Sequence, residues 1–157
     1  DEFTQFDLTY KETVVVPNNN GVINLPFNLD TEETETNSES EFKENDTNKE
    51  HIEEIKLKSM VLKLVSPSTE DFSFLESIKI YINADGLGEK EIAWKLDIQD
   101  NSGATLTLDT SDDDLNSYVQ KDAFKLRVNT VTDEVLNQDH VIEVTTVFSV
   151  DAEVIGI

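Results

Sequence analysis

The end of the chain carries its most constraining feature. From Ile142 to Val154, the residues Ile142, Val144, Thr146, Phe148, Val150, Ala152 and Val154 recur at every second position. Only an extended strand puts alternate side chains on one face, so this period predicts a strand with one side buried. The same period recurs through the sequence. Phe6, Leu8 and Tyr10 alternate, and Val14-Val15-Val16 runs into the turn cluster Pro17-Asn18-Asn19-Asn20-Gly21. Ile23, Leu25, Phe27 and Leu29 follow, but Pro26 lacks a backbone donor and so predicts an edge strand or a bulge.

Farther on, Leu57, Met60, Leu62 and Leu64 form a long strand ending at Ser66-Pro67-Ser68. Asp71-Phe72-Ser73-Phe74-Leu75 reads as a compact apolar connector of one helical turn. Ile78, Ile80 and Ile82, the turn Asp85-Gly86-Leu87-Gly88, and Ile92, Trp94, Leu96 and Ile98 read as a hairpin. This alternation puts Trp94 in the core and Tyr81 on the opposite face. Leu106 and Leu108 mark a short strand, and Phe124, Leu126 and Val128 another.

Residues 30–54 differ. They hold Asp30, Glu32, Glu33, Glu35, Glu39, Glu41, Glu44, Asp46, Glu50, Glu53 and Glu54 against Lys43 and Lys49, with Phe42 and Ile52 as the large apolar anchors. Thr31 to Ser40 reads as an exposed edge strand or a loop, a solubilising insertion beside a sheet edge or a contact loop for a cationic partner. Thr47 followed by Glu50 forms a capping box and predicts a short helix up to Ile55. A second helix is predicted over Thr110–Val119, where a hydroxyl cap precedes Asp112, Asp113 and Asp114 in the first turn.

Many strands, two or three short helical turns and no long amphipathic helix argue against βαβ units. They predict an all-β fold: an antiparallel two-layer β-sandwich of Ig-like or Greek-key type, spanning 1–157 as one domain.

Charge narrows the function. Lys and Arg number 12, Asp and Glu 34, for a formal net charge of −22. Such a surface repels phosphate and argues against nucleic-acid binding and docking on anionic lipid. With no cysteine, there is no disulfide and no thiolate chemistry. No apolar run reaches the roughly 20 residues of a membrane helix. The sequence opens at Asp1 without Met, as expected if an export leader was removed or the chain was trimmed.

The segments Asp71-Phe72-Ser73-Phe74-Leu75-Glu76-Ser77-Ile78-Lys79-Ile80-Tyr81-Ile82 and Glu91-Ile92-Ala93-Trp94 resemble uncharacterised exported proteins of Bacteroidetes-type bacteria, known as lipoprotein-like β proteins. The resemblance spans Ile55 to Val154. It implies an all-β fold and a periplasmic or cell-surface location, with a lipid anchor upstream of Asp1 if a cysteine precedes it. It implies no catalytic residue.

Four side chains stand out as possible metal ligands. Asp109, Asp112, Asp113 and Asp114 are hard oxygen donors suited to calcium, with Asp97 and Asp100 near the same sheet end. They lack the EF-hand spacing, and helix capping accounts for acids at the same positions. Apart from calcium, no cofactor is expected. There is no Gly-x-Ser-x-Gly, and His51 and His140 lie in polar segments and read as exposed. Arg127, the sole arginine, lies on the polar parity of its strand and is expected to hold a carboxylate bidentately. The resulting expectation is a non-enzymatic cell-envelope module that binds a protein or glycan partner or serves a structural role. A calcium- or carbohydrate-binding module is the alternative, and a hydrolase using paired carboxylates ranks below both.

Overall fold

The alternating segments become strands that pair into two facing sheets in a computed structural model describing residues 2–19 and 21–155. Asp1 and Asn20, the latter part of the predicted turn cluster, lie outside the described residues. The strands are β1 (Phe3–Val16), β2 (Pro26–Asp30), β3 (Thr34–Glu35), β4 (Ile52–Ser66), β5 (Leu75–Ala84), β6 (Lys90–Lys95), β7 (Thr105–Thr107), β8 (Asp109–Thr110), β9 (Ala123–Thr132) and β10 (His140–Glu153). Helices α1 (Ser38–Glu44) and α2 (Asn116–Val119) sit in the connections.

One sheet is four-stranded, in the order β1-β10-β4-β7. The other is six-stranded, in the order β2-β9-β5-β6-β8, with β3 also paired to β9. Every pairing is antiparallel. Because β2 and β3 lie end to end along β9, they act as one interrupted strand. Likewise β7 and β8 are one short segment that leaves the first sheet for the second. Counted that way, successive strands alternate between the sheets except for the β5–β6 hairpin, in the order of a jelly roll, two interlocked Greek keys. The expected antiparallel sandwich is therefore found, and its strand order specifies the Greek-key variant.

Strand parity decides burial. In β10 each residue of the set Ile142 to Ala152 is buried and each neighbour is partly exposed. These side chains meet Ile78, Ile80, Ile82, Leu126 and Val128 from the opposite sheet in one apolar cluster. Tyr10 of β1, Phe148 of β10 and Phe124 of β9 form a ring triad spanning the two layers. Their centroids lie 5.4, 6.0 and 5.9 Å apart, in edge-on arrangements.

Within the acidic segment, Thr34–Glu35 forms the edge strand that is one of its two expected forms, and Thr31, Thr36, Ser38, Phe42 and Thr47 are buried. Three expectations need correction. Phe42 brings α1 down onto Phe6, with ring centroids 6.2 Å apart, so the helix forms at Ser38–Glu44 rather than after Thr47. Thr47 instead donates to the Glu153 carbonyl at 2.7 Å, and Asn48 caps a single 3-10 turn at Lys49–His51. The helix predicted from Thr110 begins at Asn116, because Thr110 belongs to β8 and Ser111 and Asp113 close a local turn on each other. His140 is 5% exposed rather than surface-lying, with its ring 4.5 Å from that of Phe74. It occupies the inward parity of the strand it begins.

One charged residue, Glu12, also points inward from β1, beside Tyr10. Its Oε1 accepts from Thr34 Oγ1 at 3.1 Å and its Oε2 from Thr146 Oγ1 at 3.5 Å. Burial pushes this carboxyl up to about 6, against the two hydroxyl donors that favour the anion. Burial, then Glu41 and Glu12, raises the Tyr10 phenol as well, and its hydroxyl donates to the Thr36 carbonyl at 2.8 Å.

Two outcomes follow from this packing. Phe42→Ala removes a fully buried ring and should cost about 3–5 kcal/mol in a urea unfolding titration, because the vacated space is too rigid to close. For Glu12 the folded chain holds its proton at a pH where the unfolded chain releases it. Stability from this group is complete below the ordinary glutamate range and declines as pH rises through about 6. Glu12→Gln should therefore gain on the order of 1–2 kcal/mol over the parent at pH 7.5 and nothing at pH 4, measured by denaturant unfolding at both pH values.

Candidate functional site

The outward face of the six-stranded sheet gathers the groups with most recognition chemistry. One row crosses five strands: Asn28 of β2 pairs with Asn129 of β9, which pairs with Lys79 of β5. Lys79 pairs with Trp94 of β6, and Trp94 with Asp109 of β8. The adjacent row runs Asp30, Arg127, Tyr81 and Glu91. Beyond it, Lys125 pairs with Asn83 at the lip of a depression of about 550 Å³. This hollow is lined by Ala84 to Leu87 on one side and Lys121 to Lys125 on the other, with Glu33 alongside.

Trp94 reaches this face through a β-bulge. Ile80 pairs with Ala93 but the next residue, Tyr81, pairs with Glu91, so Ile92 is an extra residue in β6. Ile92 and Ala93 are both fully buried, and Trp94, opposite Lys79, falls on the outward side. Trp94 becomes partly exposed and Leu96 is 51% exposed, whereas unbroken alternation from Ile92 predicts both in the core. Ala93 is the signal in the sequence: a small apolar residue on what should be the polar parity of the strand. Tyr81 lies outward as expected.

Arg127 organises the neighbouring row. Its Nε and Nη2 donate to the Glu89 carboxylate at 2.8 and 2.7 Å, the bidentate pair expected for a lone guanidinium. That bond holds the Glu89 carboxyl below its ordinary range, while Glu89 in turn holds the Arg127 proton more tightly. The guanidinium lies 4.1 Å from the Tyr81 ring centroid, and Nη1 donates to Asn28 Oδ1. The same Oδ1 accepts from Asn129 Nδ2 at 3.0 Å. The result is a pre-set plane of amide, guanidinium and carboxylate groups beside two aromatic side chains.

The four aspartates considered for calcium have separate engagements. Asp109 sits in β8 opposite Trp94. Asp112 Oδ1 holds Lys56 Nζ at 3.0 Å, while Asp113 Oδ2 accepts from Ser111 Oγ and lies 3.9 Å from Lys90 Nζ. Asp114 Oδ1 accepts the amides of Ile55 and Asn116 at 3.1 and 3.0 Å, fixing the start of β4 and α2 together. Among the described residues, no three acidic or histidine side chains converge as metal ligands. The histidines are likewise engaged locally: His51 Nδ1 contacts Asn48 Oδ1 at 2.6 Å, and His140 Nδ1 lies 3.1 Å from the Gln138 carbonyl. Among the described residues, no helix is long and apolar enough to cross a membrane.

No protein-family model matches the chain, and no curated protein matches it. Among solved structures, one of carbohydrate-binding modules from the β-sandwich super family is similar at 14% identity and a TM-score of 0.37. The match covers 90% of this chain and 54% of that one, so the chain spans about half its length. A Desmodium yellow mottle tymovirus structure is similar at 5% identity and a TM-score of 0.32, covering 98% of this chain and 85% of that one. At these values neither likeness bears on what the sheet face binds.

Removing the Arg127 anchor should leave the sandwich intact. Glu89→Gln is expected to lower the thermal midpoint by no more than a few degrees, since an exposed ion pair contributes about 1 kcal/mol or less. The same variant should loosen the Arg127 side chain, read as broadened guanidinium NMR resonances.

Proposed function

We propose that this chain is a non-catalytic glycan-binding module that uses the outer face of its six-stranded sheet. The observation that carries this reading is the bulge at Ile92, which turns Trp94 out beside Lys79 and in line with Asn129 and Asn28. A sugar ring presents a C–H face that packs on an aromatic plane, while its hydroxyls need fixed donors and acceptors at the edge. Trp94 provides the plane. Asn28, Asn129 and the Arg127–Glu89 pair provide edge groups whose rotamers are already set by mutual bonds, which lowers the ordering cost of binding, and Lys79 adds a mobile donor beside Trp94. With a formal charge of −22, the surface favours neutral or amino sugars over sulfated or uronic ones. We further propose that the module works in the bacterial cell envelope, as its resemblance to exported lipoprotein-like proteins implies.

Retention on an array of neutral glycans, followed by calorimetry on the best ligand, tests the binding reading. Trp94→Ala should weaken affinity at least tenfold, or about 1.4 kcal/mol, while the melting curve stays cooperative. An array without a single neutral hit, or a Trp94→Ala variant that binds like the parent, would sink it. The envelope assignment requires an export leader upstream in the gene.

A further inference from the structure

β1 is an edge strand of 14 residues, whereas the other sheet-edge strands are short: β2 has 5 residues and begins with Pro26, β7 has 3 and β8 has 2. Short strands and proline blunt an edge against further pairing; a long straight one invites it. The orientation of the β1 backbone can be read from its ladder. The Val154 amide donates to the Glu2 carbonyl at 2.8 Å, and Phe3 is opposite Glu153 in an unbroken antiparallel register. Even-numbered residues of β1 therefore turn their backbone groups to β10. Odd-numbered residues, Phe3 to Val15, turn theirs to the open edge. All of these odd-numbered side chains are exposed, including two large apolar ones, Phe3 at 66% and Val15 at 45%.

The exposed set is complementary to itself when reversed about Thr9. In an antiparallel pairing of two copies centred there, Thr9 meets Thr9 of the partner subunit. Asp7 then meets Lys11 of the partner subunit, Gln5 meets Thr13 of the partner subunit, and Phe3 meets Val15 of the partner subunit. Opposite charges, hydroxyl and amide groups, and the exposed apolar ends would thus face each other across the two-fold axis. Each of these positions also directs its amide and carbonyl to the shared edge, so side-chain and hydrogen-bond registers agree. Asp7 and Lys11 are neutral together, in a chain whose formal charge is −22, so the strand avoids the repulsion that would oppose contact elsewhere. We propose that β1 is a homodimerisation edge, joining two copies of this chain through antiparallel β1–β1 pairing centred on Thr9, into one continuous sheet. The outer face of the six-stranded sheet lies on the other layer of each copy and remains open.

Sedimentation or light scattering on the whole chain tests this directly. The parent should show twice the chain mass. Thr9→Pro deletes an amide that faces the open edge and is not used by β10, so it should give a monomer with an unchanged far-UV spectrum. Two charge variants keep the proposal testable if that proline disturbs the fold. Asp7→Lys alone and Lys11→Asp alone each place like charges opposite one another and should run as monomers. Mixing equal amounts should restore the dimer mass, because each variant then meets its complement. A parent that stays monomeric across the accessible concentration range, or a mixture that stays monomeric, would overturn the proposal.

Discussion

Contact between the rings of Tyr10, Phe124 and Phe148 joins the two sheets into one body. Each sheet alone exposes an apolar face and has no reason to persist in water. The triad joins β1 and β10 of one layer to β9 of the other, and the isoleucine rows of β5 close over the remaining surface. Once that interior exists, the outward faces are free to carry charge. The chain uses that freedom heavily, and its 34 acidic residues stay compatible with folding because few of them turn inward.

Glu12 is the instructive exception. An aliphatic residue at that position would pack against Thr34 and Thr146 without an ionisation cost. The Glu12 carboxyl instead links β1 to β3 by accepting from Thr34, and also from Thr146 of β10, through hydrogen bonds rather than apolar contact. Thr31 and Thr36 act similarly, fastening the acidic segment to the backbone of residues 121–126. Buried threonines thus allow a stretch rich in carboxylates to lie against the body of the protein, its side chains pointing to solvent and its backbone anchored.

Much of the architecture was legible in the sequence because it depends on parity. The alternation from Ile142 to Ala152 is satisfied by one buried strand face, and Pro26 marked β2 as an edge strand or a bulge, of which the edge is found. Arg127 could be given a bidentate carboxylate partner, but Glu89 could not be named, since it lies across a turn whose geometry the residues do not encode locally. The site was harder to read for a physical reason. A bulge shifts the parity of the strand locally, so one inserted residue at Ile92 turned Trp94 from an expected interior position to the partly exposed outer face. Helix α1 was not legible because its anchors are long-range, Phe42 on Phe6 and Ser38 on the Gln120 carbonyl, and its N-terminus has no side-chain cap.

The passage of residues 105–110 from one sheet to the other deserves a mechanical reading. Along that margin the layers share a single piece of chain, with Leu106 and Leu108 both buried, so they are bound there like pages at a spine. β1 and β2 are consecutive in the chain, and along their length the margin between them is closed by side chains: Tyr10 donates to the Thr36 carbonyl and Glu12 accepts from Thr34. Glu12 is buried on that side, so the β1–β3 margin is the part of the seam whose strength changes with pH.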